Sequence, residues 1–169
     1  MKLLNFILVL LIGIQAEAQP TPTGILNEVN RFRKAQGLAP AKLNAKHNQA
    51  AQLQAEWIAT TGIFSHKQTI SANGLPILTN PWDRGTRVGA SVVAENLYQL
   101  PAASATSAHI VSGWIQSPGH RENMLYGVPD EIECRVGIAI VRSKVSPDEI
   151  IVVLVIGDNV DHQTGQIQN

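Results

Sequence analysis

Apolar residues recur at helical spacing in three stretches of the first two thirds of the chain. They predict a helix over residues 24–36, a second over residues 44–61 with Asn44 as its N-cap, and a third that ends at Pro118. Between the second and third helices, residues 67–91 carry closely spaced turn signals and predict a long irregular loop. The apolar stripes of the three helices are Ile25, Leu26, Val29 and Phe32; Ala50, Ala51, Leu53, Trp57 and Ile58; and Ile110, Val111, Trp114 and Ile115.

The last third of the chain predicts two strands joined by a hairpin at residues 144–148. Apolar residues occupy alternate positions from Ile132 to Ile140, and an uninterrupted aliphatic run extends from Ile150 to Ile156. The uninterrupted run is typical of a central strand that is covered on both faces. Because helices come first and strands last, the order of the elements predicts an α+β domain in which helices pack on an antiparallel sheet.

The start of the chain has the features of a secretory signal peptide. Met1-Lys2 precedes an apolar run from Leu3 to Ile14, and the small-x-small sequence Ala16-Glu17-Ala18 follows. The run is shorter than the roughly 20 residues of a transmembrane helix, although an uncleaved anchor is the alternative interpretation. We therefore predict a signal peptide over residues 1–18, a folded domain over 24–160 and a polar tail over 161–169. We therefore expect a secreted or periplasmic protein that has no transmembrane anchor after cleavage.

Charge and cysteine content narrow the classes of function. The chain carries 13 lysines and arginines and 13 aspartates and glutamates, so its formal charge is balanced and a nucleic-acid partner is not expected. Its single cysteine, Cys134, excludes an internal disulfide, and the hydrophobic core must therefore supply the stability. The alternating pattern around Cys134 favours a small buried apolar residue over a reactive thiol.

Two histidines and one carboxylate lie in separate, turn-like segments that can meet in one cleft: His66, Glu95 and His120. Two imidazoles and a carboxylate are a donor set for an open zinc site, in which water takes the fourth position. The alternative is a hydrogen-bonded network that holds the three segments together. Catalysis by Ser65 or Ser117 is a weaker interpretation, because neither serine lies in a nucleophile-elbow pattern.

Taken together, these segments resemble the SCP-like domains of the CAP superfamily (cysteine-rich secretory proteins, antigen 5 and plant pathogenesis-related proteins), and in particular its cysteine-poor bacterial branch. The resemblance extends from about Ile25 to Gly157. It implies an α-β-α sandwich with a central antiparallel sheet and a large open cavity, lined by two histidines and acidic residues that bind a divalent cation in some members. The segments that carry it are Leu26 to Arg33, Phe64-Ser65-His66, Ala94-Glu95-Asn96, Trp114 to Asn123, and Val136-Gly137-Ile138-Ala139.

The resemblance assigns roles to three side chains, and the neighbouring polar residues add four candidates for ligand binding. His66, Glu95 and His120 become the expected metal ligands and catalytic residues, with zinc as the expected cation. The expected ligand-binding residues are Ser65, Asn96, Ser117 and Arg121. Asn96 and Asn123 also suit a structural role, in which they bond turn backbone. For Arg121 the alternative is a solvated position on the rim of the site.

One position departs from the family pattern. The family's second acid follows the tryptophan of the helix before the second histidine, and this chain has Gln116-Ser117 there. Glu122 is near but does not occupy the family's position. Since no obvious general base remains if Glu95 is a metal ligand, the sequence favours binding of an extracytoplasmic ligand such as an envelope glycan, peptide or lipid. A metal-dependent hydrolase of peptide or cell-wall substrates and a secreted scaffold with a vestigial site are the alternatives.

Overall fold

A computed structural model describes residues 19–72, 74, 76–127, 132–161 and 166–167. The predicted signal peptide and part of the predicted tail lie outside these residues. Within them, no helix has the length and apolar character needed to cross a bilayer. The helices are α1 (Pro22–Ala35), α2 (Ala45–Thr61), α3 (Pro81–Val88), α4 (Ser107–Gln116) and α5 (Pro118–Met124); the strands are β1 (Lys42–Leu43), β2 (Ser91–Pro101), β3 (Cys134–Arg142), β4 (Glu149–Asp158), β5 (Val160–Asp161) and β6 (Gln166–Ile167).

The main sheet has four strands in the order β1-β3-β4-β2. Its three long strands are antiparallel, as predicted, but β1 runs parallel to β3 through two residues, which makes the sheet mixed. Strand β4 lies between the other two long strands and is buried along almost its whole length, as its continuous aliphatic sequence predicted. Strand β2 lies at the edge, and β5 and β6 form a separate small pair that begins at the last residue of the predicted domain and extends into the predicted polar tail.

Alternate side chains of β4 enter two hydrophobic cores, one on each face of the sheet. The first core also contains Trp114 of α4 and residues of α1 and α5, and the second contains Trp57 of α2. This three-layer arrangement confirms the predicted α+β sandwich. Cys134 is buried in the first core, as its pattern predicted, and burial raises the pKa of its thiol. The β4 residues of the first core are Ile150, Val152, Leu154 and Ile156, and those of the second are Ile151, Val153 and Val155.

Local side-chain contacts fix where the predicted helices begin and end. The Asn44 side chain accepts hydrogen bonds from the backbone N–H groups of Lys46 and His47, which confirms it as the N-cap of α2. Gly62 ends the same helix with a φ of 73°, a backbone conformation that favours glycine. Thr106 caps α4 by accepting a hydrogen bond from His109 N–H.

The predicted irregular loop over residues 67–91 contains a helix, α3, and this is the largest correction to the predicted elements. Pro81 occupies its first turn, and Asp83 accepts a hydrogen bond from the Asn80 N–H group at 2.8 Å. A Cβ at Gly85 would lie 2.8 Å from the carbonyl oxygen of Ala90. Glycine at this helical position therefore allows the backbone that follows the helix to pack closely against it. The residues that indicate turns in the sequence therefore start and pack a short helix.

Two further segments differ from the prediction. The segment around Glu95 was expected to be short and turn-like, but it is the middle of the 11-residue strand β2. His120 was expected on a Pro-Gly turn, but it belongs to α5, whose first position is Pro118. Proline is favoured at the first position of a helix because its missing N–H group has no partner to lose there.

Candidate functional site

Glu95 lies at the centre of the candidate site and is fully buried in the edge strand β2. Its side chain has no solvent exposure, and each carboxylate oxygen has its own partner. Oε1 lies 3.0 Å from Nδ1 of His66, and Oε2 accepts a hydrogen bond from Nη2 of Arg84 at 2.7 Å. Burial of this charge is tolerated because a cation and a hydrogen-bond donor both contact it.

Arg84, on α3, is the part of the site that sequence reasoning missed. Its side chain is also fully buried. Nη1 donates to the carbonyl oxygen of Leu78 at 2.9 Å, and Nη2 donates to that of His66 at 3.2 Å. Its Nε has no hydrogen-bond partner among the described residues. One guanidinium therefore joins the Glu95 side chain to the backbone of the loop that carries His66.

Asn96, the next residue of β2, holds the segment that carries the second histidine. It is fully buried; its Nδ2 donates to the carbonyl oxygen of His120 at 2.9 Å, and its Oδ1 accepts from Nδ2 of Asn123 at 2.8 Å. The end of α5 is fastened by a buried arginine of α1, since Arg33 Nη1 donates to the carbonyl oxygens of Met124 and Tyr126. These contacts favour the structural role for Asn96, whose side chain is buried, and its predicted role toward a ligand stays a prediction.

Successive residues of a strand point to opposite faces of the sheet. Glu95 therefore fixes His66 from the face that α2 and α3 cover, while Asn96 fixes His120 from the face that α4 and α5 cover. The two imidazole rings meet at the same sheet edge, with 6.5 Å between their centroids and 57° between their planes. The structure brings His66, Glu95 and His120 together from three separate segments.

Side chains of α4 and α5 also cover the backbone of the edge strand. Trp114 Nε1 donates to the carbonyl oxygen of Leu97 at 3.1 Å, and Asn123 Nδ2 lies 3.4 Å from that of Glu95. Carbonyl groups on the outer edge of a sheet are otherwise free to bind another strand. Here they hold the two helices in place, which makes this part of the site rigid.

The two histidines have different surroundings. The side chain of His66 is 48% exposed, and its Nε2 makes no hydrogen bond to the described residues. His120 is half-buried, and both this burial and the neighbouring His66 lower its pKa. His120 is therefore neutral over a wider pH range than a free histidine.

Comparison with known proteins agrees with this architecture. Residues 26–155 match the family model described as CAP, the cysteine-rich secretory protein family. The chain belongs to the CAP family. No curated protein is significantly similar to it in sequence.

Solved structures that share the fold of this CAP domain include two bacterial proteins. One is an outer surface protein from Borrelia burgdorferi, with a TM-score of 0.55 and 17% identity over 78% of this chain and 88% of that one. The other is an extracellular protein containing an SCP domain from Bacillus anthracis, with a TM-score of 0.55 and 17% identity over 79% of this chain and 39% of that one. At these identities the likeness shows the fold alone.

The remaining predicted ligand-binding residues lie close in sequence to the histidines, but within the described part of the chain their side chains form no hydrogen bond to either imidazole. Ser65 Oγ accepts a hydrogen bond from the N–H group of Lys67 at 3.0 Å, and Ser117 forms the junction between α4 and α5. Arg121 is exposed on α5. Their roles toward a ligand stay predictions, as does the large open cavity that the family resemblance implied.

The structure shows no carboxylate at the position of the family's second acid, in agreement with the sequence Gln116-Ser117 there. Gln116 is exposed, and its Nε2 lies 3.3 Å from Oγ of Ser112 on the same helix. Glu122 is exposed on α5. Among the residues that the structure describes, Glu95 is therefore the one carboxylate of this site.

The donor set does not fit a zinc site with three protein ligands. Both Glu95 oxygens face other groups, and no cluster of three His, Cys, Asp or Glu side chains suited to a metal occurs within the described residues. A carboxylate on Nδ1 is typical of a residue that orients a histidine rather than of a direct ligand. A cation here would have His66 and His120 as its protein ligands, and the predicted zinc binding stays a prediction.

Proposed function

We propose that this CAP protein is a secreted or surface-exposed binding module that captures an envelope ligand between His66 and His120, where the predicted cleft would lie. The observation that carries the proposal is the pair of imidazoles, 6.5 Å apart and held by buried contacts of one strand. Rigid placement of this kind reduces the entropy lost when a ligand binds. The predicted signal peptide and the outer-surface and extracellular proteins that share the fold support the location.

Neutral imidazoles offer ring nitrogens that accept hydrogen bonds. The lowered pKa of His120 keeps one such acceptor available at neutral pH, and the exposed ring of His66 lies beside it. Hydroxyl and amide N–H groups are the matching donors. Among the predicted ligands, a cell-wall glycan or peptide therefore fits this cleft better than the apolar chain of a lipid.

Calorimetric titration with soluble cell-wall glycopeptide fragments tests the proposal. His66→Ala and His120→Ala should each weaken binding by about tenfold or more, the equivalent of one good hydrogen bond. His109→Ala is the matched control, because this exposed histidine lies on α4 and contacts Tyr98 instead. Binding that is absent from the unchanged protein, or that all three variants retain, contradicts the proposal.

Stability measurements separate binding from a purely structural role. His120→Ala should change the free energy of unfolding by no more than about 1–2 kcal/mol, because the side chain is only half-buried and its backbone, rather than its ring, holds Asn96. A collapse of stability in this variant would instead identify the ring as part of a structural network.

Hydrolysis of peptide or cell-wall substrates is the second candidate function. One observation favours it: His66 has a carboxylate on Nδ1 and an exposed second nitrogen, which is the arrangement of a general base that activates water. Assays with the same fragments should then show turnover that His66→Ala abolishes. Loss of turnover on adding a chelator would indicate a metal held by the two histidines, and persistence would assign the base to His66 alone.

Zinc binding is tested separately by calorimetry on protein stripped with chelator. Because the described residues offer only two imidazoles as ligands here, we propose that any affinity is weak and disappears in both His66→Ala and His120→Ala. Tight one-to-one binding would show that Glu95 leaves Arg84 and joins the metal.

A further inference from the structure

The buried contacts of Glu95 restrict which protons the neighbouring groups carry. A guanidinium only donates hydrogen bonds, and an ionised carboxylate only accepts them. Because Arg84 donates to Oε2 at 2.7 Å and is itself fully buried, the charge of Glu95 is compensated inside the protein. The other oxygen, Oε1, faces Nδ1 of His66 at 3.0 Å.

An acceptor on Nδ1 selects one tautomer of a neutral histidine. The proton must lie on Nδ1, where it is donated to Glu95, and Nε2 is left with a lone pair. Arg84 also donates to the carbonyl oxygen of His66 itself, so the same guanidinium fixes the backbone and, through the carboxylate, the ring.

We propose that Arg84 is a positioning residue for His66. It holds Glu95 as an acceptor on Nδ1, so that His66 presents an unprotonated Nε2 to the cleft beside His120. Arg84 occupies Oε2 of the carboxylate, which leaves Oε1 to orient the ring of His66. The inference rests on the proposed function only for the use of Nε2 as a ligand-facing acceptor.

Nitrogen-15 NMR of histidine-labelled full-length protein at pH 8, without ligand, reads the tautomer directly. In the unchanged protein, Nδ1 of His66 should give the signal of a protonated nitrogen and Nε2 that of an unprotonated one. The opposite assignment overturns the inference without any substitution.

Glu95→Gln supplies the sharper test because an amide has one accepting oxygen. Arg84 only donates, so it should take that oxygen and turn the amide NH₂ group toward His66. Nδ1 must then accept, and the tautomer of His66 should invert. In the double variant Arg84→Met, Glu95→Gln no guanidinium holds the amide oxygen, so the amide can accept from Nδ1 as well as donate to it, and the original tautomer should recover in part. The tautomer of His120 is the internal control, because the ring of His120 forms no hydrogen bond to residue 84 or residue 95.

The outcomes separate this inference from the proposed function. An unchanged tautomer in Glu95→Gln overturns the positioning role of Arg84, whatever the cleft binds. Inversion in Glu95→Gln with recovery in the double variant supports that role, and it does so even if cell-wall fragments fail to bind, which would contradict the proposed function alone.

Discussion

Removing Arg84 from its buried ion pair should destabilise the fold strongly. Arg84→Met keeps most of the length of the side chain but deletes the guanidinium. Glu95 then stays buried, with His66 as its remaining polar side-chain partner. The carbonyl oxygens of Leu78 and His66 lose a donor as well.

The expected cost follows from the complete burial of both partners. Breaking a buried ion pair by removing one member typically costs about 3–5 kcal/mol, because the other charge stays desolvated. The lost backbone contacts add less, since His66 lies in an exposed part of its loop and water can replace the donor there. A domain of this size is stable by about 5–15 kcal/mol, so the melting temperature should fall by roughly 6–20 °C.

Urea unfolding followed by circular dichroism measures this loss. The matched control is Arg31→Met, which breaks an arginine–glutamate pair whose side chains are 76% and 23% exposed and should cost at most about 1 kcal/mol. Adding Glu95→Gln to Arg84→Met removes the isolated charge and should restore part of the loss. If Arg84→Met costs no more than Arg31→Met, the argument that the buried pair organises the site is refuted.

Three further perturbations test other contacts. Gly137→Ala would place a Cβ 2.0 Å from backbone atoms of His47 and should cost about 1–3 kcal/mol or more in urea unfolding, whereas Gly119→Ala meets nothing within 4 Å and should leave stability nearly unchanged; equal effects would contradict the close approach. Burial is the main cause that lowers the pKa of both His47 and His120 below the ordinary 6.5. The unfolded chain therefore binds more protons, and the urea midpoint should fall as pH drops below about 6.5; identical midpoints at pH 8 and pH 5 would contradict this. Trp114→Phe removes the donor to a buried carbonyl of β2 and should cost about 1–3 kcal/mol with faster amide exchange along that strand; unchanged exchange would show that the contact does not hold the strand edge.

The elements that sequence predicted well are those whose hydrophobic pattern matches their final burial. The central strand β4 has a continuous aliphatic sequence because both of its faces are covered. Strand β2 was not recognised, since Glu95 and Asn96 place two polar residues in its middle. Both are buried nonetheless, because their partners come from distant segments that no local pattern reveals.

The same reason explains what was missed at the site. The motifs drew attention to His66, Glu95 and His120, and the resemblance to the CAP family grouped them. Arg84 gave no such signal, because it lies among turn-forming residues and looks like an exposed charge of a loop. Its role depends on complete burial, which only the packing of α3 on β2 establishes.

The arrangement of the site follows from the period of a single strand. Two adjacent residues of β2 point to opposite faces of the sheet, and each binds a different helix or loop: Glu95 with Arg84 holds the His66 segment, and Asn96 with Asn123 holds the His120 segment. The relative position of the two histidines is therefore fixed by β2 and does not require a contact between the two rings. A substitution in one layer should therefore leave the histidine of the other layer in place.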